Sequence, residues 1–280
     1  MEGVKPIVAG EVVRLSPLVR RVTAPNPGMM TGPGTNTYIV GNDVLAVIDP
    51  GPVSEPHFDR IRELVGDRLR WILCTHTHLD HSPGARALQA ATGAQTIGMP
   101  APPHGSQDVS FFPDRIFKHG DVIEGGDFTL RGIHTPGHAS NHLCFLLEPE
   151  KLLFTGDHIM QGSTVVITPP DGNMIEYLQS LDSLLALDVV RVAPGHGHPI
   201  ETPHEEARRL IAHRLKREQK IIAAFSGRNP ATIDELVPVA YADTSPKLHP
   251  VARRSLHAHL IKLERDGQVR QVGEHWTLRS

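Results

Sequence analysis

Trp71-Ile72-Leu73-Cys74-Thr75-His76-Thr77-His78-Leu79-Asp80-His81 is the stretch on which the reading of this chain turns. Its first four residues are an unbroken apolar run, the pattern of a buried strand. Alternate residues of an extended chain point the same way, so His76 and His78 can converge on one cation. Pro83 lies just beyond and opens a helical pattern. The backbone therefore turns in between, and that turn aims Asp80 and His81 at a second position. Ligand-type side chains so crowded have no use in an apolar core, where each would be costly to bury.

Three later pieces extend the pattern: Thr135-Pro136-Gly137-His138, Phe154-Thr155-Gly156-Asp157 and Ala193-Pro194-Gly195-His196. Each follows a strand-like run, and each sets one ligand-type residue just past a glycine, where a loop backbone can approach an ion closely. Imidazoles and carboxylates without cysteine suit two zinc ions and would also accept iron or manganese.

The composition agrees. The chain has 280 residues, 39% hydrophobic and 21% charged, with 25 Gly and 24 Pro, which fits a folded, loop-rich globule of one or two domains. No run approaches the ~18 apolar residues of a membrane span. No secretory leader is expected at the start, and Cys74 and Cys144 are too few for a disulfide framework. A cytoplasmic protein that makes no use of a membrane is the expectation. Histidine stands out at 18 residues. The net charge of −3 is unevenly spread: residues 1–204 carry 14 Lys+Arg against 22 Asp+Glu, and residues 205–280 carry 14 against 9. Such a tail can meet a polyanion or can be an ordinary solvated helical surface.

The first 200 residues alternate strand and helix patterns. A hairpin is expected at 37–48, a helix near 55–65, strands at 127–134, 142–147, 151–155 and 189–193, and an amphipathic helix at 174–187. After residue 203 the pattern changes to a long helix over 204–226, a second over 231–241 capped by Asn229-Pro230, and a third from Pro250. Strand-like pieces at 269–272 and 275–278 complete the layout of a winged helix. The expected organisation is a catalytic domain over 1–203, then a linker helix and winged-helix domain over 204–280.

His76-x-His78-x-Asp80-His81, followed by His138, Asp157 and His196, resembles the motif set of the metallo-β-lactamase superfamily. The resemblance implies an α/β fold, a four-layer αββα sandwich with metals at one edge of its sheets. It also implies His76, His78 and His138 on one metal, Asp80, His81 and His196 on the other, and Asp157 bridging. Two such cations lower the pKa of a shared water toward ~7 and polarise the bond under attack, so hydrolysis by metal-bound hydroxide is the expected reaction. Gly34-Thr35-Asn36-Thr37-Tyr38, the Pro194–Ile200 segment and the winged helix look like the lactamase-beta-two-like branch. That branch includes endoribonucleases, so a phosphodiester of single-stranded RNA is the first substrate expected.

Weaker candidates surround the ligands. Asp49, at the end of Val44–Ile48, would hold a liganding imidazole by its second nitrogen. Asp80 and His142 are the candidate catalytic groups, His142 as proton donor or as a half-exposed strand histidine. Tyr177, His158 and His198 are candidate rim or substrate contacts, with Tyr177 read first as a core or rim residue. Arg253 and Arg254 would meet phosphate if the tail binds RNA. The winged helix could equally join two copies of the chain as a homodimer. A glyoxalase-II-like thioester hydrolase or another ester or lactam hydrolase shares the metal site. A non-catalytic nucleic-acid-binding regulator is the reading outside enzymes, and the intact ligand set argues against it. A nuclease with a large inserted domain has no room here.

Overall fold

The structure, a computed structural model, describes residues 5–279, which divide into two compact units. The first comprises the described residues up to Thr135, with Asn141–Ser163 and Leu187–Pro203. The second comprises Pro136–Ser140, Thr164–Ala186 and the described residues from His204 onward.

The first unit holds two sheets. Seven strands pair in chain order: β1 (Val12–Arg14), β2 (Val19–Thr23), β3 (Asn36–Val40), β4 (Leu45–Ile48), β5 (Leu69–Leu73), β6 (Gln95–Gly98) and β7 (Arg115–Ile116). The first four are antiparallel, and β4 to β7 are parallel. Parallel neighbours need a crossover, supplied by α1 (Glu55–Val65) between β4 and β5 and by α2 (Gly84–Thr92) between β5 and β6. The second sheet contains β8 (Val122–Glu124), β9 (Thr129–His134), β10 (Leu143–Leu147), β11 (Leu152–Gly156) and β12 (Arg191–Pro194), in the order β12-β11-β10-β9-β8. Only β11 and β12 run parallel.

Period-two alternation sorts the side chains into layers. Tyr38, Val40, Ala46, Ile48 and Leu73 face the second sheet's Phe145, Leu147 and Phe154. Their neighbours Ile39, Leu45, Val47 and Ile72 face Ile61 and Val65 of α1 and Leu88 of α2. The parallel pairs fix where chemistry can sit. Ligand-type residues that follow β5, β11 and β12 leave their sheets at the carboxyl ends of parallel strands, where α/β folds place their sites.

The second unit contains α3 (Met174–Leu184), α4 (Pro203–Ala224), α5 (Ile233–Ala240) and α6 (His249–Arg265). It also contains a small sheet of β13 (Ala231–Thr232), β14 (Val269–Val272) and β15 (His275–Leu278) in the order β13-β15-β14. Its core includes Ile221 of α4, Phe225 just after it, Leu236 of α5, Leu256, Leu260 and Leu263 of α6, and Trp276 of the wing. One expectation is corrected here. Asn229-Pro230 does not cap a helix from residue 231, because Ala231 and Thr232 pair with Trp276 and His275. The cap is Thr232, whose hydroxyl accepts from the Glu235 amide while the Glu235 side chain accepts from Thr232.

No helix among the described residues is long and apolar enough to cross a membrane. His259 of α6 is fully buried, with its nearest carboxylate oxygen, Glu218 Oε2, 3.6 Å away. Burial depresses its pKa to about 4. The unfolded chain takes up this proton near 6.5, so the folded state is fully favoured above that pH and loses ground as pH falls toward 4. The loss is about 3 kcal/mol when complete. His259→Leu is expected to remove that share of the acid destabilisation, read from urea unfolding at pH 7 and pH 4.5. An unchanged difference between the two pH values would contradict it.

Candidate metal centre

Asp49 is the hub of the site within the first unit. It follows β4 and takes a left-handed backbone conformation, φ +51°, rare for a residue with a side chain. The parallel neighbour β5 delivers Thr75 beside it. Thr75 N donates to Asp49 Oδ1 at 2.7 Å, and Thr75 Oγ1 donates to Oδ2 at 2.8 Å. His81 Nδ1 donates to the same Oδ2 at 2.9 Å. The buried carboxylate therefore fixes both the start and the end of the His-rich turn. Asp49 thus holds the His81 imidazole by its Nδ1, and Thr75 is a second partner that the sequence does not announce.

The ligand-type groups then gather. His81 Nε2 lies 3.5 Å from Asp80 Oδ2 and 3.4 Å from Asp157 Oδ1. His196 Nε2 lies 3.2 Å from each of the same two oxygens. One ligand atom from each of the four residues lies within 4.8 Å of the others. Asp157 follows β11 and His196 follows β12, held together by Gly195 N donating to Gly156 O at 2.7 Å. A Cβ on Gly195 would stand 2.8 Å from both Asp157 Oδ1 and His81 Cε1, so no larger residue fits that turn. Asp80 is the most exposed of the four, its side chain 27% accessible, against 12% for Asp157 and less for the imidazoles.

The donor chemistry tests whether these residues fit a cation. His196 Nδ1 faces the Gly34 carbonyl at 3.1 Å, and a carbonyl only accepts, so the proton sits on Nδ1. His81 Nδ1 likewise donates to Asp49. Both imidazoles thus turn Nε2 toward two carboxylates, an electron-rich cluster that is satisfied by a cation or, without one, by protons on Nε2. His76 follows the same rule. Thr75 Oγ1 spends its hydrogen on Asp49, so His76 Nδ1 donates to Thr75 at 3.0 Å and Nε2 is the lone-pair nitrogen. That Nε2 lies 2.9 Å from His78 Nδ1. In the second unit, His138 Nδ1 donates to the Val166 carbonyl at 2.8 Å, so Nε2 is its ligand-type nitrogen. The residues fit a metal.

Without a cation the same cluster gathers protons. Burial alone would raise the Asp157 carboxyl, but His196 and His81 outweigh it and hold it well below the usual range. Burial opposes charging His196, yet Asp157 and Asp80 push it up to about 9. Asp80 and Asp157 also raise His81 against its burial. At neutral pH, cation binding must therefore expel protons. Titrating zinc into metal-free protein in two buffers of different protonation enthalpy is expected to show net proton release at pH 7. The release should diminish as pH rises through about 9, and zero release at pH 7 would contradict this.

The other candidates are dispersed. His142 is fully buried rather than half-exposed, with Nδ1 2.9 Å from Thr135 Oγ1 and its ring 5.0 Å from that of His76. His158 is fully buried too, its ring 5.9 Å from His142, so it does not line a rim. His142 directly precedes β10, and His158 lies two residues past the end of β11. His198 is half-buried in the turn after His196, its amide donating to Gln161. Tyr177 is core and not a substrate contact: it is wholly buried in the second unit beneath the Arg214 guanidinium, 5.2 Å from its ring. On α6, Arg253 is ion-paired with Asp234 at 2.7 Å, and Arg254 is exposed.

Comparison with known proteins agrees with the geometry. Residues 30–196 match the model of the metallo-beta-lactamase superfamily, and residues 232–276 match the beta-lactamase associated winged helix domain. A beta-lactamase-like protein 2 homolog of Drosophila melanogaster is 31% identical over 276 residues, 92% of each chain. An atrochrysone carboxyl ACP thioesterase of Aspergillus fumigatus is 30% identical, over 92% of this chain and 85% of its own. A metallo-beta-lactamase family protein from Thermus thermophilus has the same fold, with a TM-score of 0.79, 21% identity and coverage of 95% and 100%. The ligand-bearing turns lie within the matched span and the wing lies beyond it, as the two-part match requires: the chain belongs to the metallo-β-lactamase superfamily of hydrolases and carries that family's associated winged helix.

Proposed function

We propose that this hydrolase holds two zinc ions and cleaves a thioester of an apolar acyl group. His76, His78 and His138 would hold one ion, and Asp80, His81 and His196 the other, with Asp157 serving both.

The observation that carries the substrate class is the apolar surface on the ligand turns. Leu79, between His78 and Asp80, is 57% exposed, and Val109 and Phe112 are 73% and 78% exposed. The loop bearing these last two is fastened to the His-rich turn by Asp108 N donating to Thr77 O at 2.6 Å and by Ser82 Oγ donating to Asp108 at 2.8 Å. Met29 and Met30 are exposed on the turn leading to Gly34, whose carbonyl holds His196. Exposed apolar side chains beside a site suit an acyl chain and supply no positive charge for a polyanion. The similarity to a thioesterase supports the same reading.

When bound, the two ions would polarise the thioester carbonyl and acidify the attacking water. The chain's own part is separate. Asp49 and Gly34 O hold the ligand imidazoles in one tautomer, and the apolar side chains orient the acyl group and exclude water. Asp80, the most accessible carboxylate, is placed to take a proton from the attacking water. Water's oxygen joins the acyl carbon, the C–S bond breaks, and the departing thiolate takes up the proton.

Single-stranded RNA is the second reading, favoured by exposed Arg254 and Arg270 on the winged helix. The basic excess is partly spent internally, however: Arg209, Arg217, Lys220, Arg253 and Lys262 all pair with carboxylates in their own unit. Metal-loaded and chelated protein should be assayed side by side on a long-chain acyl thioester, a glutathione thioester, labelled single-stranded RNA and a β-lactam. Chelator-sensitive turnover of the long-chain thioester is expected. RNA cut while both thioesters stay intact would overturn the assignment in favour of the second reading.

A further inference from the structure

Gly34-Thr35-Asn36-Thr37-Tyr38 contributes no ligand side chain, yet it touches both halves of the quartet. Successive side chains of a strand point to opposite faces. On the face toward the second sheet, Asn36 is fully buried and its amide orientation is settled by its partners. Nδ2 donates to the carbonyls of Pro194 at 3.0 Å and Gly197 at 2.9 Å, and Oδ1 accepts from Thr23 Oγ1 at 2.8 Å. Asn36 N donates to Gly195 O at 2.7 Å, and Tyr38 Oη donates to Pro194 O at 2.7 Å. The turn carrying His196 is therefore gripped on both sides of that residue. Gly34 adds the carbonyl that orients the ring. Its φ of +135°, and Ala24 O only 2.1 Å from where a Cβ would be, exclude any other residue there.

On the helix-side face, Thr37 Oγ1 donates to the Asp49 carbonyl at 2.6 Å. Having spent its hydrogen, it accepts from His57 Nε2 of α1 at 2.8 Å. His57 is 2% exposed. These bonds clamp the Asp49 peptide in its rare conformation, and Asp49 in turn holds His81.

We propose that β3 is a two-sided brace for the cation site of Asp80, His81, Asp157 and His196: Asn36 fixes the His196 turn on one face, and Thr37, backed by His57, fixes Asp49 and hence His81 on the other. Asn36, Thr37 and His57 are positioning residues. The brace rests on the two-ion reading above, and the wild-type titration tests that reading before any variant is made.

Zinc binding to the full-length metal-free chain, by competition with a chromophoric chelator, separates the possibilities. Wild type is expected to take two equivalents; fewer would refute the two-ion reading and the brace with it. Asn36→Ala is expected to weaken one equivalent about tenfold and leave the other unchanged. Thr37→Val, which keeps the shape and loses the hydroxyl, is expected to weaken zinc binding by a similar factor, with Thr37→Ser restoring it. The Thr37 pair decides the matter if Asn36→Ala does not fold. Wild-type binding by Thr37→Val, or equal weakening of both equivalents in folded Asn36→Ala, would overturn the brace.

Discussion

Asp157→Ala is expected to lower kcat/KM by a factor on the order of 10³ or more and to leave one zinc equivalent per chain. The carboxylate removed lies 3.4 Å from His81 Nε2 and 3.2 Å from His196 Nε2, so its loss takes away the negative charge both imidazoles share. Asp80 alone remains opposite them, more exposed and better screened by water. The His196 pKa, held at about 9 against its burial chiefly by Asp157, would fall in the metal-free variant. Rate, metal count and the His196 titration by NMR should move together. Full activity with two equivalents bound would refute the role given to Asp157.

Asp49→Asn is expected to cost 10- to 100-fold in zinc affinity and about 2 kcal/mol of stability. Asp49 accepts three hydrogen bonds through two oxygens, from Thr75 N, Thr75 Oγ1 and His81 Nδ1. An amide offers one oxygen. Facing it toward Thr75 N turns its NH2 against the His81 Nδ1–H, and the reverse placement opposes two N–H groups at Thr75. In the first case His81 must change tautomer and present a proton at Nε2, where the lone pair is needed. Because His76 is held through Thr75, both groups of imidazoles would be disturbed. Zinc competition and urea unfolding on the same preparation check both magnitudes. Wild-type zinc affinity in Asp49→Asn would contradict the assignment.

The ligand turns were legible because their signals are local. A short apolar run, then alternating histidines, then a proline-opened helix encodes strand, turn and helix within a few residues. The hairpin at 37–48 and the three helices with a terminal wing were legible for the same reason. Harder to read were β1 and β2, where Arg20 and Arg21 interrupt the apolar pattern of an antiparallel strand, and β6 and β7, which are too short for periodicity to speak. The β13 pairing with the wing is long-range, and no local pattern announces it.

The residues that orient the ligands were mostly missed, Asp49 apart. Thr75 and Thr37 look like ordinary strand residues, and their chemistry depends on which carboxylate or carbonyl the neighbouring strand supplies, parallel for Thr75 and antiparallel for Thr37. Asn36 carries the one readable signal, since an amide between strand residues must find buried partners. His142 and His158 lie close in sequence to ligand-type motifs, and their complete burial depends on tertiary packing that no local pattern announces. Net charge does not reveal that Arg217, Lys220 and Lys262 of the basic tail face carboxylates in their own unit.

Anomalous scattering from crystals of the zinc-loaded protein tests the central claim, a two-ion centre, most directly. The account requires two peaks per chain, one among the ring nitrogens of His76, His78 and His138 and one among Asp80, His81 and His196, with Asp157 between them. A single peak at either place, or zinc held by other residues, would contradict it.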